Sequence, residues 1–188
     1  ACMKNIISLN STLSQEERNY FSLSQKNFIL EKRHRLKAIN SLLKKFLKDP
    51  AKKDKEETKI ALLKELKNSL EKEIYQINFE VQGIIDEYLL PKTSNKEDII
   101  FYYKMKADYY RYMQEMEIKG DEGEAFLSLA EEYYQKAIEG AYGQLPELNY
   151  TWLATVLNYA IFLGGVKKDK EAAIEVAKGA FENAVQNK

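Results

Sequence analysis

The stretch FYYKMKADYYRYM, Phe101 to Met113, decides how this chain is read. It holds neither Gly nor Pro and is expected to form one helix. Lys104 and Arg111 stand seven residues apart. On an α-helix that is nearly two full turns, so both cations leave from the same face. Tyr112 adds a hydroxyl beside the guanidinium. Such a set can grip a doubly charged phosphate through several charge-assisted hydrogen bonds, because a planar guanidinium matches two phosphate oxygens. Asp108 precedes Arg111 by three and Glu115 follows it by four. Both fall on its face and read as buttresses that would fix the guanidinium before a ligand arrives.

Outward from this stretch, helical signals dominate. Pro occurs three times and Gly eight times, mostly at segment ends. Ser14 with Glu17, and Ser94 with Glu97, are candidate capping boxes. Helical periodicity runs from about Gln15 to Leu47 and breaks at Asp49-Pro50, with a polar connector AKKDKEE beyond. Leu63, Leu66, Leu70, Ile74, Ile77, Val81, Ile84 and Tyr88 then form a 3/4-spaced stripe that Pro91 closes. Further helices are expected over about Asn95 to Ile118, Glu122 to Tyr142, Glu147 to Leu163 and Asp169 to Gln186, with Gly164-Gly165 ending the third of these. Short connections make consecutive helices antiparallel, and no strand pattern competes. The expected fold is all-α, a stack of antiparallel helices with a concave groove.

Composition excludes several functions. Lys plus Arg equals Asp plus Glu at 29 each, so no global field attracts nucleic acid. The single cysteine, Cys2, cannot make an internal disulfide. No apolar run approaches about 18 residues, and no signal peptide opens the chain, so a cytoplasmic protein that is not in a membrane is expected. His34 is the only histidine and has no triad or zinc partners. Glu56-Glu57 and Glu131-Glu132 lack a Glu-x-x-His motif, and there is no P-loop or G-x-G-x-x-G. No enzyme, cofactor or metal is implied.

On spacing alone, Lys26 and Arg33, again seven apart, read either as solvated cations on a long helix or as an anion-binding pair. Resemblance separates the two. Phe101 to Met113 resembles the central helix of 14-3-3 proteins, the phosphoserine and phosphothreonine binding adaptors. Arg18 to Asn27 is similar to that family's RNLLSVAYKN signature, with Arg18, Asn19, Ser22, Lys26 and Asn27 in place. Leu157 to Phe162 resembles its LNFSVF helix. The three matches are collinear. The resemblance implies that Lys26, Arg33, Arg111 and Tyr112 hold a phosphate, with Lys104 along the same groove. It implies that Asn158 bonds the peptide backbone and that Leu157 and Ile161 form an apolar wall. Partners would be phosphorylated proteins.

By this resemblance residues 1–188 form a single domain, truncated at both ends relative to the family. The first, dimer-forming helix and the last helix have no counterpart here, so a monomer or weakened dimer is expected. Another reading stays open. AEEYYQKAIEGAY, Ala130 to Tyr142, reads like one helix of a tetratricopeptide unit, as in a scaffold for non-phosphorylated partners.

Overall fold

The structure, a computed structural model, describes residues 7, 12–48, 55–116 and 120–186, with the side chain of Glu115 outside the described set. Among these residues there are six α-helices and no strand: α1 (Gln15–Lys48), α2 (Glu57–Ile84), α3 (Lys96–Met113), α4 (Asp121–Ala141), α5 (Tyr150–Ile161) and α6 (Lys170–Gln186). Neighbours in sequence pack in pairs, α1 on α2, α3 on α4 and α5 on α6. The fold is all-α, as the periodicity requires.

The capping box before α1 forms. The Ser14 N–H donates to Glu17 Oε2 at 2.8 Å, and the Glu17 N–H donates to Ser14 Oγ at 3.2 Å. Two orphan donors of the first turn are thereby satisfied. Phe21, Ile29, Leu36, Ile39 and Leu43 form the buried face of α1. The break at Asp49-Pro50 and most of the connector lie outside the described residues.

The α2 stripe differs from its expected course at one end. Leu66 is exposed and Ile60 is buried, so the buried line runs Ile60, Leu63, Lys67, Leu70, Ile74. A 3.6-residue period carries it through partly buried Lys67 and turns Leu66 to water. Nor does Pro91 end the helix directly. A π-helical segment (Ile85–Leu89) and a 3-10 turn (Leu90–Lys92) follow α2. The proline sits in the first positions of that tight turn, where its missing N–H costs nothing.

Asn95, not Ser94, caps α3. Its extended backbone (φ −71°, ψ 120°) lets Oδ1 accept from the N–H groups of Glu97 and Asp98. Regular helix stops at Met113 and tightens into a 3-10 turn over Gln114–Met116, short of the expected end. Ile118 lies outside the described residues.

The tetratricopeptide-like segment becomes the seam of α4. Ala130, Tyr134, Ala137 and Ala141 are buried along one line, and the alanines let α3 approach closely. At the start of this helix Gly120 takes φ 77°, a turn that a side chain would strain. Gly164-Gly165 does not end the α5 segment. The chain continues as a π-helical turn (Phe162–Lys167) and reverses at Lys168, whose φ is 64°. A Cβ on Gly164 would stand 3.3 Å from the Ala173 Cβ, so this glycine permits the close approach of α6. Asp169 caps α6 as expected, accepting the Ala172 N–H at 3.0 Å.

Buried polar ties set the positions of α1 and α5 around α3. Arg18 of α1 is 2% exposed. Its guanidinium pairs with Asp98 and, at 3.3 Å, with Glu97, and it lies 4.5 Å from the Phe101 ring centre. The same Glu97 accepts from Thr151 at 2.9 Å and from Asn149 at 3.3 Å, at the start of α5. On the far side of α3, buried Lys106 pairs with both oxygens of Asp86 at 2.6 Å, which ties α3 to the π-helical end of α2.

Candidate functional site

Because α3 is clamped between α1 and α5, the three helices border one cavity of about 330 Å³. Asn19, Ser22, Leu23 and Lys26 line it from α1. Lys104, Met105, Asp108, Tyr109 and Tyr112 line it from α3, and Tyr150, Thr151 and Ala154 from α5.

Three of the four phosphate candidates meet at one ring. The Arg33 guanidinium carbon of α1 lies 3.7 Å from the centre of the Tyr112 ring, a cation–π contact. Arg111 of α3 lies 5.0 Å from the same centre. Lys26 and Tyr112 face the same cavity. Lys26 is exposed, as an entrance cation would be, whereas the Lys104 and Arg111 side chains are only 17% and 15% exposed. Where water is largely removed, each cation acts on an anion with a stronger field.

Asp108 organises these cations. It accepts from Lys104 at 2.7 Å and from Arg111 at 3.5 Å, at the i−4 and i+3 positions of its own helix. Asn158 of α5 donates to both of its oxygens at 2.9 Å, and the Tyr134 hydroxyl of α4 donates to Oδ1. Tyr134 in turn accepts from Arg111 Nε at 3.0 Å. One carboxylate thus gathers side chains from three helices. Burial alone would raise the Asp108 pKa, but the Lys104 and Arg111 charges and the bonds from Lys104 and Tyr134 hold it below the usual range. Burial pushes the Tyr134 hydroxyl well above its ordinary value, so it stays protonated and donates.

Of the residues named from sequence, Asp108 pairs with Arg111, and the Glu115 side chain lies outside the described residues. Asn158 is engaged with Asp108. Leu157 and Ile161 are 60% and 48% exposed, and with Tyr150 and Leu153 they form an apolar line along α5. Sequence reasoning missed Tyr134. Its place in the Ala130–Ala137–Ala141 stripe marked it as buried, but nothing local revealed its partners. Trp152 is half-buried against the Ile100, Ala137 and Ala141 cluster, and His34 is exposed. Among the described residues no group of three or more His, Cys, Asp or Glu could hold a metal. No described helix is long and apolar enough to cross a membrane.

The fold and the site together define an all-helical protein with a cleft where, among the described residues, cations outnumber carboxylates. The family described as 14-3-3 protein matches residues 1–188. The chain belongs to the 14-3-3 family. It is 32% identical over 185 residues to the 14-3-3 protein zeta of Bombyx mori, which covers 98% of this chain and 72% of the relative. It is 37% identical over 174 residues to the 14-3-3 protein homolog of Neospora caninum, covering 92% and 63%. Against the 14-3-3-like protein 2 of Caenorhabditis elegans it is 31% identical over 185 residues, covering 98% and 71%. The chain thus spans 63% to 72% of the length of these relatives. Family membership implies an adaptor that binds phosphopeptides rather than an enzyme.

Proposed function

We propose that residues 1–188 act as one adaptor unit that clamps phosphoserine or phosphothreonine segments of partner proteins in the cleft between α1, α3 and α5. The observation that carries this reading is the meeting of Arg33 and Arg111, from separate helices, on the Tyr112 ring. Two guanidiniums drawn to one ring add their fields there, and a dianion beside them accepts several charge-assisted bonds. Lys26 and the Tyr112 hydroxyl complete the phosphate shell, and Lys104 meets the segment beside it. The side-chain oxygen of Asn158, whose nitrogen is engaged with Asp108, accepts a peptide N–H. Leu157 and Ile161 offer apolar surface to residues that follow the phosphate.

Binding is electrostatic and directional, with no reaction and no cofactor. An unphosphorylated serine offers the cleft no charge, so discrimination is large. Fluorescence polarisation with a phosphoserine peptide and its unphosphorylated twin tests this. The phosphopeptide is expected to bind more than about tenfold tighter, a difference of about 1.4 kcal/mol or more. Equal affinities would overturn the proposal.

A further inference from the structure

The cationic face of α1 does not stop at the clamp. Counted from Lys26, residues Arg33, Lys37, Lys44 and Lys48 fall at +7, +11, +18 and +22. At about 100° per residue all five lie within roughly 60° of one another around the axis. A second cavity, about 510 Å³, opens along this face. It is lined by Lys37, Lys44, Lys45 and Lys48, by amide and hydroxyl groups between them on α1, and by Gln114 just past the end of α3. Its described lining contains no carboxylate. On the α2 side of Lys44 lie two more lysines, Lys64 and Lys67, the latter 3.6 Å from Glu71.

This cavity continues the clamp on both walls. Lys37 follows Arg33 by four residues, and Gln114 follows Arg111 by three. Each wall therefore begins one turn beyond a clamp guanidinium. Gln114 is fixed there by its bond to the Gly123 carbonyl at 2.8 Å.

We propose that the second cavity is an accessory anion subsite that receives a second negative group on the same partner segment, either another phosphate or a short run of Asp and Glu. The inference rests on the clamp reading and names the partner class more narrowly. Arg33 and Lys44 are eleven residues apart, about 16 Å along the helix. An extended chain advances about 3.3 Å per residue, so the second charge belongs about five residues from the clamped phosphate. Two walls, one from α1 and one from the end of α3, fit the width of a single extended chain better than a flat lipid surface. Each exposed lysine contributes modestly. Once the clamp has engaged, however, the second contact is intramolecular, and several lysines together give a gain of about tenfold.

The test uses fluorescein-labelled peptides in polarisation assays. A peptide with one phosphoserine is compared with versions that carry a second phosphoserine five residues before it, five residues after it or two residues after it. Further versions replace the second phosphate with glutamates. One of the two five-residue peptides is expected to bind about tenfold tighter than the single phosphopeptide, and the two-residue peptide is expected to show no such gain. A matching gain with glutamates places carboxylates in the recognised class, and a gain confined to phosphate restricts the class to phosphate. The double variant Lys44→Gln/Lys48→Gln is expected to abolish the gain while leaving single-phosphopeptide affinity unchanged. No gain at either five-residue spacing, or a gain that survives in the double variant, overturns the subsite. So does lysine-dependent binding to phosphatidylserine vesicles without any peptide gain. A single phosphopeptide that binds no better than its unphosphorylated twin removes the clamp and the subsite with it. A working clamp without a second-charge gain removes the subsite alone.

Discussion

The two ends of α3 hold the same chemical groups in opposite proportions. Near Asn95, two carboxylates, Glu97 and Asp98, share one guanidinium, that of Arg18. Near Met113, one carboxylate, Asp108, is shared by two cations, Lys104 and Arg111. Arg33 is close by on the Tyr112 ring. At the first end the excess is negative and is closed by neutral protein donors, with Thr151 and Asn149 donating to Glu97 and Thr93 to Asp98. At the second, neutral donors from Tyr134 and Asn158 also converge on the carboxylate, yet among the described residues the local sum stays positive. A closed node fixes helices to one another. A node with surplus positive charge holds its cations in place and still favours an incoming anion.

Damage to the first node is therefore expected to appear mainly as lost stability. Arg18→Met keeps volume but strands two partly buried carboxylates. It is expected to lower unfolding stability by about 3 kcal/mol, read from urea midpoints, while the folded fraction keeps its phosphopeptide affinity. A loss of affinity without a loss of stability would erase the distinction between the two ends.

Asp108→Asn sharpens the same contrast from the other side. The variant keeps shape and leaves Lys104 and Arg111 without their carboxylate, at an expected cost of about 2 kcal/mol near neutral pH. Its pH dependence is specific. The folded pKa of Asp108 lies below its ordinary value because the Lys104 and Arg111 charges outweigh the cost of burial. A lowered folded pKa contributes stability above the unfolded pKa, and this contribution is lost as pH falls through the folded one. The gap between wild type and variant is therefore expected to narrow below about pH 4. A gap unchanged from pH 7 to pH 3 would show that the Asp108 charge is not what matters.

The smallest effect belongs to geometry without charge. Arg111→Lys keeps the cation but loses the planar fork and the Nε bond to Tyr134. Phosphopeptide binding is expected to weaken by tenfold or more, on the order of 1.4 kcal/mol, with little change in stability. Unchanged affinity in isothermal titration would mean that charge alone suffices at this node.

How far this contrast could be read from sequence follows the range of each interaction. Contacts within one helix were legible: the Ser14–Glu17 box, the Asp108–Arg111 spacing and the buried stripe of α2 from Leu70 to Ile84. The pairing of Arg18 with Glu97 and Asp98 spans about eighty positions, and no local pattern signals it. Tyr134 and Asn158 reach Asp108 across 26 and 50 positions. Local signals also failed where two of them competed. Gly164-Gly165 looks like a helix end, yet the chain carries on as a π-helical turn because the missing Cβ lets α6 pack against it. Ser94 has the spacing of a capping box, but Asn95 is the residue whose backbone is extended. The convergence of Arg33 and Arg111 on Tyr112 joins two helices and was reached only through resemblance.

The most direct test removes the surplus charge and asks what is lost. In the double variant Arg33→Gln/Arg111→Gln, with helicity and urea midpoint checked first, isothermal titration would measure a phosphoserine peptide and its unphosphorylated twin. The preference for phosphate is expected to collapse toward unity. A preference that survives at its wild-type size would contradict that expectation.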